Sequence, residues 1–531
     1  MTRHEQRCLN ASKSLFEITQ DMPEEIKSAR LGLFKESSVL NDELAKKKES
    51  INSNATNKKY NFRDYNQEQS FFITVSRQKF LEENHPAIVI DTVVEKMDLT
   101  KLYEKYSDEG NPAFHPKMML KILFYAYYDG IMSARTIWDA VYHRSDFIFL
   151  SAGEVPDFRT INRFRMIHLD ILPNLFTQIV MLCNELDLID FKYLAIDGEK
   201  IQANASYRKS KNLKGIKKEY KKINESLVKL LDKQVNEYFT QETKDKRVNR
   251  LNKKLDNLKS YQKILEDMGD DEDKRINLVD PDAPVMAHKD GQKLPSYNHQ
   301  TARDGKFGIV TAVQSTQDGD APKDLLTIVD KSIENTNNKH ETIIADCGFC
   351  NFDILQKVEE ERDEDFYIPD RRYEADKNGT SKKGKYNQSS FKKNESGEYV
   401  CPAGYLMKKS KVVTDKEGNK KVVYEGTGCD KCGKLKKKCT TGKKRTISID
   451  SRTPFRDKMR KKLDSDEGRE IYMKRQGLAE PIHGDDQKNK GWIQHHLRGL
   501  KKATGEFLLM RIATNLGIIV KHRSKEVLLW V

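Results

Sequence analysis

Three acidic residues stand where carboxylate chemistry could be done: Asp197 in YLAIDGEK, Asp346 in TIIADCGF and Glu480 in YMKRQGLAEPIHG. The first two follow the short apolar runs Leu194-Ala195-Ile196 and Ile343-Ile344-Ala345. That is the pattern of a buried strand delivering a side chain at its C-terminal end. A carboxylate there is costly unless its charge is compensated, and a divalent cation is the usual compensator. Three such groups converging would make a two-metal phosphoryl-transfer site, one cation activating an attacking hydroxyl and the other stabilising the leaving oxygen. Each acid alone has a plainer reading, since carboxylates after strands often form turns and glutamates are common in helices. Glu480 also precedes Pro481, so the expectation is a helix that starts at Pro481 with Glu480 as its cap. Asp466, Glu467, Glu470, Asp485 and Asp486 are local competitors for the third-acid role.

A second constellation is Cys401, Cys429-x2-Cys432 and Cys439, the ligand pattern of a structural zinc site. Residues 401–445 hold 14 Lys/Arg against 4 Asp/Glu, a net of +10. A segment this polar is not expected to order itself on a hydrophobic core, so a metal staple is a reasonable cause of folding. The competing reading is a disordered basic insert. Either way its lysines suit non-specific phosphate binding. Cys347 and Cys350 form a CxxC beside Asp346, but the thioredoxin-like context for redox chemistry is missing, so core or strand-end cysteines are expected. His495-His496 beside Trp492 reads as packing or DNA contact rather than a metal site.

The elements that must position these groups are legible in outline. Residues 1–64 are polar and irregular, ending in a linker-like stretch. From 65 to 185 the pattern is helical: Pro116 opens MMLKILFYAYYDGI and Gly130 closes it, Ser133 is placed to cap SARTIWDAVY, and PDFRTINRFR brings Arg159, Arg163 and Arg165 into a further helix. Arg159 and Arg163 suit either a DNA-reading helix or a solvated face. Residues 190–371 alternate strands and helices, with FGIVTAVQST, LLTIVD, ETIIADCGF and FYIP read as strands around the NFDILQKVEEE helix. An αα-hairpin is expected within 208–275, where Ile216, Tyr220, Ile223, Leu227, Leu255 and Leu258 recur at helical spacing. Residues 372–445 form the cysteine-bearing insert, and 446–531 return to helices that close the core.

At 531 residues the chain is long enough for two or more domains. Hydrophobic residues make up 37%, enough for real cores, while 33% charged residues and a mean hydropathy of −0.77 mark a polar surface. The net charge of +14 and a pI near 9.0 favour a polyanionic partner, nucleic acid first. No stretch approaches the ~20 apolar residues of a membrane span, and the opening MTRHEQRCLNASK lacks an apolar leader core, so a cytoplasmic location and no membrane partner are expected. Eight cysteines are too few for a disulfide scaffold. Neither a Walker loop nor an HExxH is present.

Across most of its length the sequence resembles bacterial insertion-sequence transposases of the DDE class, which have an RNase H-like core. HPKMMLKILFYAYYDGIMSARTIWDAVYHRSDFIFLSAG with PDFRTINRFR is similar to their N-terminal helical domain. AIDGEKIQANAS resembles their first-aspartate strand, and MAHKDGQKLPSYNHQTARD with IIADCGF their central strands and second aspartate. Tyr472-x2-Arg475-x4-Glu480-Pro, NKGW and LRGLKKATGEFLLMRIATNL resemble their third-acid signature and closing helices. The resemblance implies that Asp197, Asp346 and Glu480 bind catalytic Mg²⁺ or Mn²⁺, and that Tyr472 and Arg475 position a DNA phosphate. The sequence departs from the family at Gln487, where a lysine is usual, with Lys488 and Lys490 close by, and at His483, where a bulky apolar residue is common.

The expected architecture is α/β: an RNase H-like mixed sheet with a helical N-terminal domain, a helical-hairpin insertion and a small zinc-ribbon-like insertion. The expected function is cleavage at the ends of an insertion sequence and 3′-hydroxyl strand transfer into target DNA. A homodimer or larger assembly would act on double-stranded DNA at the nucleoid, with Lys488, Lys490 and the insert's lysines neutralising phosphates. Zn²⁺ would sit on Cys401, Cys429, Cys432 and Cys439. Gln487 keeps a second reading in view, a catalytically inactive, transposase-derived DNA-binding protein; a nuclease lacking strand transfer is a third.

Overall fold

The computed structural model describes residues 81–529 apart from 236–237, 268, 270–273, 320–323, 374–385, 387 and 415–417, and leaves the side chains of Asp324, Ser389, Glu480 and His483 undescribed. The polar segment 1–64 therefore lies outside the described residues. The described residues fall into two units, Tyr103–Ala113 in one and Leu81–Leu102 with Phe114–Leu529 in the other. All the elements that follow belong to the second.

The longer helices ahead of the sheet are α1 (Pro86–Lys96), α2 (Pro116–Tyr128), α3 (Ala134–His143), α4 (Phe158–Ile167) and α5 (Leu172–Glu185). Proline opens α1 and α2, where its missing N–H costs nothing. Gly130, at φ +76°, lets the chain leave α2. Ser133 occupies the cap position of α3 without a side-chain capping bond, whereas Asp157 caps α4 by accepting from Thr160 N at 2.6 Å. Helix α2 is so enclosed that even Lys121 is fully buried, paired with Asp91 at 2.6 Å and Glu95 at 2.5 Å.

The sheet is mixed. Strands β1 (Tyr193–Gln202), β2 (Lys293–Asp304), β3 (Val310–Thr316), β4 (Thr342–Ala345) and β5 (Asp365–Tyr367) lie in the order β3-β2-β1-β4-β5, with β1, β4 and β5 mutually parallel and β2 antiparallel to β1, to β3 and to the short strand Val285–Ala287 that pairs with its start. This arrangement fits a DDE-type RNase H-like core. Leu194 and Ile196 of β1, Ile343 and Ala345 of β4 and Phe366 of β5 share one apolar cluster. Residues of α8 (Asp324–Thr336) and α9 (Phe352–Glu361) complete it. The LLTIVD run, expected as a strand, is in fact the start of α8. Leu325, Ile328 and Val329 fall at helical spacing and all enter the core, and a short apolar run does not by itself distinguish helix from buried strand.

Between β1 and β2 the helices α6 (Leu213–Leu231) and α7 (Gln241–Asp267) pack together through Ile216, Leu258 and Leu265. After β5 comes a three-stranded antiparallel sheet, β6 (Met407–Thr414), β7 (Lys420–Gly426) and β8 (Thr446–Asp450). Phe391, Tyr399, Met407 and Ile447 bury a small apolar cluster beside it, with Cys401 and Cys439 packed against them. The expectation that this segment lacks a core of its own is corrected to that extent: few apolar residues suffice because the strands bring them to one face.

Helices α10 (Thr453–Asp464), α11 (Asp466–Gly484) and α12 (Leu500–Leu528) close the molecule. Pro481 lies inside α11, so Glu480 is a helical residue and not a cap. The helix absorbs the proline in its last turn and continues into a π-helical turn, Asp485–Asn489, a wider winding that follows the lost hydrogen bond. Helix α12 passes the length and apolarity test of a membrane span, with a mean hydropathy of 1.3 over its best window, contrary to the expectation from the sequence. Most of that window, 72%, is buried inside the protein, where α12 packs on α1, α2 and α5.

Candidate active site

Alternation along β1 sends Leu194 and Ile196 into the core and the odd-numbered residues to the opposite face. Asp197 and Glu199 are therefore both on that face, and both are buried. In the parallel register Ile196 is level with Ala345, so the next residue of each strand, Asp197 and Asp346, emerges side by side. Gly198 N donates to Asp197 Oδ1 at 2.8 Å. Asp346 caps the short turn Cys347–Phe349, accepting from Gly348 N at 3.4 Å, with Cys347 Sγ 3.9 Å away. Cys350 packs against the core beneath, and burial first, then the Asp370 charge, pushes its thiol up to about 12.

Helix α11 crosses this face of the sheet. Arg303 of β2 donates to Leu478 O at 2.5 Å and to Gly308 O at 3.0 Å, fastening the helix to the strand. From one turn earlier Arg475 reaches both acids: Nη1 lies 3.6 Å from Asp197 Oδ2 and Nη2 lies 3.7 Å from Asp346 Oδ1. A guanidinium thus stands where a cation between two carboxylates would stand, and this is the observation by which the donor set fits a divalent metal. Among the described residues no group of three or more His, Cys, Asp or Glu is placed to hold a metal ion, neither here nor at the four cysteines expected to bind zinc. The third acid expected from the sequence, Glu480, sits in α11 four residues beyond Gln476, and its side chain lies outside the described residues.

The acids open on a cavity of about 430 Å³ lined by Asp197, Glu199, Asp346, His288, Lys289 and Gln487 among others. Gln487 projects from the π-helical turn and donates to Glu199 Oε1 at 3.2 Å. Glu199 was missed in the sequence, although residue i+2 of a strand shares the face of residue i and so accompanies Asp197. Tyr472 packs toward Tyr367, Tyr373 and Leu463 rather than lining the cavity. Lys488 is exposed, whereas Lys490 is engaged by Asp485 at 3.0 Å and Asp486 at 3.8 Å. Arg159 and Arg163 lie exposed one turn apart on α4, while Arg165 is buried against Tyr127 and Met132. Of the local acids, Asp486 is fully buried against Arg511, and Asp466 begins α11 in solvent.

His495 is part of an internal chain. Ser315 Oγ, His299 and His495 follow one another at 2.7 Å and 2.9 Å, and His495 Nδ1 lies 3.0 Å from Glu506 Oε2. Burial alone would raise the Glu506 carboxyl, but hydrogen bonds from His495 and His496 and the Arg165 charge hold it well below the usual range. Burial first, then the neighbouring His495 and Arg511, pushes His299 the other way, well below its ordinary value. The histidines are satisfied structural groups.

In the insert, Cys401, Cys429, Cys432 and Cys439 all line one small cavity. Arg445 N donates to Cys429 Sγ at 3.3 Å, and a Cβ at Gly426 would come within 2.7 Å of that sulfur, so the backbone closes tightly around it. Desolvation, then the neighbouring Cys401 and Cys429 thiols, raises the Cys432 thiol.

Two family models match the chain. Residues 400–520 match one described as Transposase DDE domain, and residues 75–166 match Transposase domain (DUF772). The first match covers Cys401–Cys439, α11 with Tyr472, Arg475 and Glu480, and most of α12. The second covers α1 to most of α4 with Arg159 and Arg163. No curated protein matches the chain.

Proposed function

We propose, for a chain that carries a transposase DDE domain and a DUF772 transposase domain and so belongs with the insertion-sequence DDE transposases, that it cuts DNA at the ends of its element and joins the freed 3′-hydroxyls to target DNA. The observation that carries this reading is the emergence of Asp197 and Asp346 from adjacent parallel strands onto one open cavity, with a guanidinium between them.

Asp197, Asp346 and Glu480 would hold Mg²⁺ or Mn²⁺. When bound, such cations lower the pKa of an attacking water or hydroxyl and neutralise the leaving oxygen. The chain's own residues then have defined tasks. The rigid strand ends fix the two aspartates, and Arg303 fixes the helix that brings Arg475 to them and carries Glu480. Lys289 and exposed Lys488 supply positive charge at and near the cavity for a DNA backbone. In strand transfer the 3′-oxygen forms the new P–O bond as the target's own 3′-oxygen leaves, so phosphodiester bonds are exchanged one for one and no protein–DNA bond is needed.

The four cysteines line one cavity in a small, lysine-rich sheet but are not placed as a metal-holding group in this structure, so they would have to close on a structural Zn²⁺ as it binds. The insert's lysines would then hold duplex DNA through its phosphates. We place the protein on the terminal inverted repeats of its element, as a homodimer or larger assembly at the bacterial nucleoid. The test is Mg²⁺-dependent cleavage of DNA carrying the repeats that flank this reading frame. Wild type is expected to nick at the repeat boundary and, given a second duplex, to yield joined product. Asp346→Asn should bind the DNA and cut nothing, because it loses a metal ligand and little binding surface. Binding without cleavage by wild type would instead establish an inactive DNA-binding relative, and cleavage without joining a nuclease.

A further inference from the structure

Asp197 and Asp346 are forced together by strand register, and two carboxylates brought side by side repel each other unless a cation lies between them. In this structure Arg475 contributes that charge. Its fork spans one oxygen of each acid at 3.6 Å and 3.7 Å, and its side chain is only 16% exposed. Arg475 is brought in on a helix whose backbone is tied to β2 three residues later, which fixes its Cα against the strand that pairs with β1.

We infer that Arg475 is an internal competitor for the site's divalent cations, holding Asp197 and Asp346 in their absence and yielding both carboxylates when they bind. This rests on the reading of the two aspartates as cation ligands. A guanidinium so released lies beside the cavity that Asp197 and Asp346 line, and a phosphodiester is the oxyanion its planar fork fits best. Anything that occupies the guanidinium removes the competitor, so a DNA phosphate and the cations bind with positive cooperativity. By thermodynamic reciprocity each raises the affinity for the other equally. The site is thereby kept weak for metal until DNA is present.

The experiment is Mn²⁺ binding to the full chain, read from the electron paramagnetic resonance signal of free Mn²⁺, with no catalysis involved. If Arg475 leaves the acids about a tenth of the time, Arg475→Gln should bind Mn²⁺ about tenfold more tightly than wild type in the absence of DNA. Arg475→Lys, which keeps the charge but lacks the fork, should fall between. A short duplex oligonucleotide should tighten Mn²⁺ binding several-fold in wild type and much less in Arg475→Gln. Equal or weaker binding by Arg475→Gln overturns the inference. So does a wild type whose Mn²⁺ affinity ignores the duplex, a result that needs no variant to fold. Asp346→Asn separates the two levels of the argument. If it binds Mn²⁺ as wild type does, the aspartates are not the cation site. If it loses binding while Arg475→Gln gains nothing, only the competitor role fails.

Discussion

Arg511→Met should destabilise the protein strongly, and Asp486→Leu added to it should restore most of the loss. Asp486 sits on the π-helical turn just after α11, and Arg511 on α12; both side chains are fully buried and paired to each other. The pairing is thin for so deep a site. Among the described residues Asp486 Oδ1 and Arg511 Nε and Nη1 have no hydrogen-bond partner, and the next cation, Lys490, is 3.8 Å away. Removing one partner of a buried pair costs about 3–5 kcal/mol, because the remaining charge is stranded in low dielectric. At roughly 2 °C per kcal/mol for a large domain, the melting temperature should fall by about 6–10 °C. Methionine keeps much of the volume over the Phe507 ring, on which Arg511 stacks at 4.7 Å, so the loss reports charge rather than a void. Replacing both partners by apolar residues removes the desolvation cost altogether and is commonly neutral or stabilising. The assay is thermal unfolding of the single and double variants by circular dichroism at one pH and salt concentration. A single variant within 2 °C of wild type, or a double variant no better than the sum of the singles, would refute the reasoning. Because the pair anchors the turn that carries Gln487, the single variant should also lose cleavage activity and the double variant regain part of it.

Gly308→Ala should destabilise sharply, since φ is +80° and a Cβ would meet Arg303 Nη2 at 2.3 Å; a melting temperature equal to wild type would count against the Arg303 anchor. Glu506→Gln should flatten the acid limb of the stability profile. A carboxyl held below its ordinary 4.5 contributes stability fully above that pH and loses it as the pH falls further, so wild type should lose melting temperature faster than the variant on acidification below 4.5. Cys429→Ser should lower the zinc content measured by elemental analysis and loosen the insert to proteolysis, whereas unchanged zinc would remove the four-thiol reading. Changing Lys436, Lys437 and Lys438 to glutamine should reduce the slope of log affinity for duplex DNA against log salt by about 0.9 for each phosphate that is no longer neutralised, and an unchanged slope would take the insert off the DNA.

Local order determined a good deal of this. The short apolar runs before Asp197 and Asp346 read as buried strands, and a strand there delivers its acid at the C-terminal end. Proline openers and apolar periodicity marked α2 and the helical pair α6 and α7, and cysteine spacing singled out one cluster in a lysine-rich insert. These are consequences of a chain's own geometry: which side chains share a face, and which backbones lack a donor. Only the tertiary structure decided the rest. The level of Ile196 with Ala345 brings the two acids together, and neither strand encodes the other's register. LLTIVD became a helix because a sheet face was there to cover. Pro481 stayed inside α11, a helix that Arg303 clamps across 175 residues of sequence. Lys490, free in the sequence, is neutralised by Asp485, and Gln487, where the family has lysine, has Glu199 for a partner 288 residues away. Charges and amides find their partners by proximity in space, and that proximity comes from the packing of the whole core.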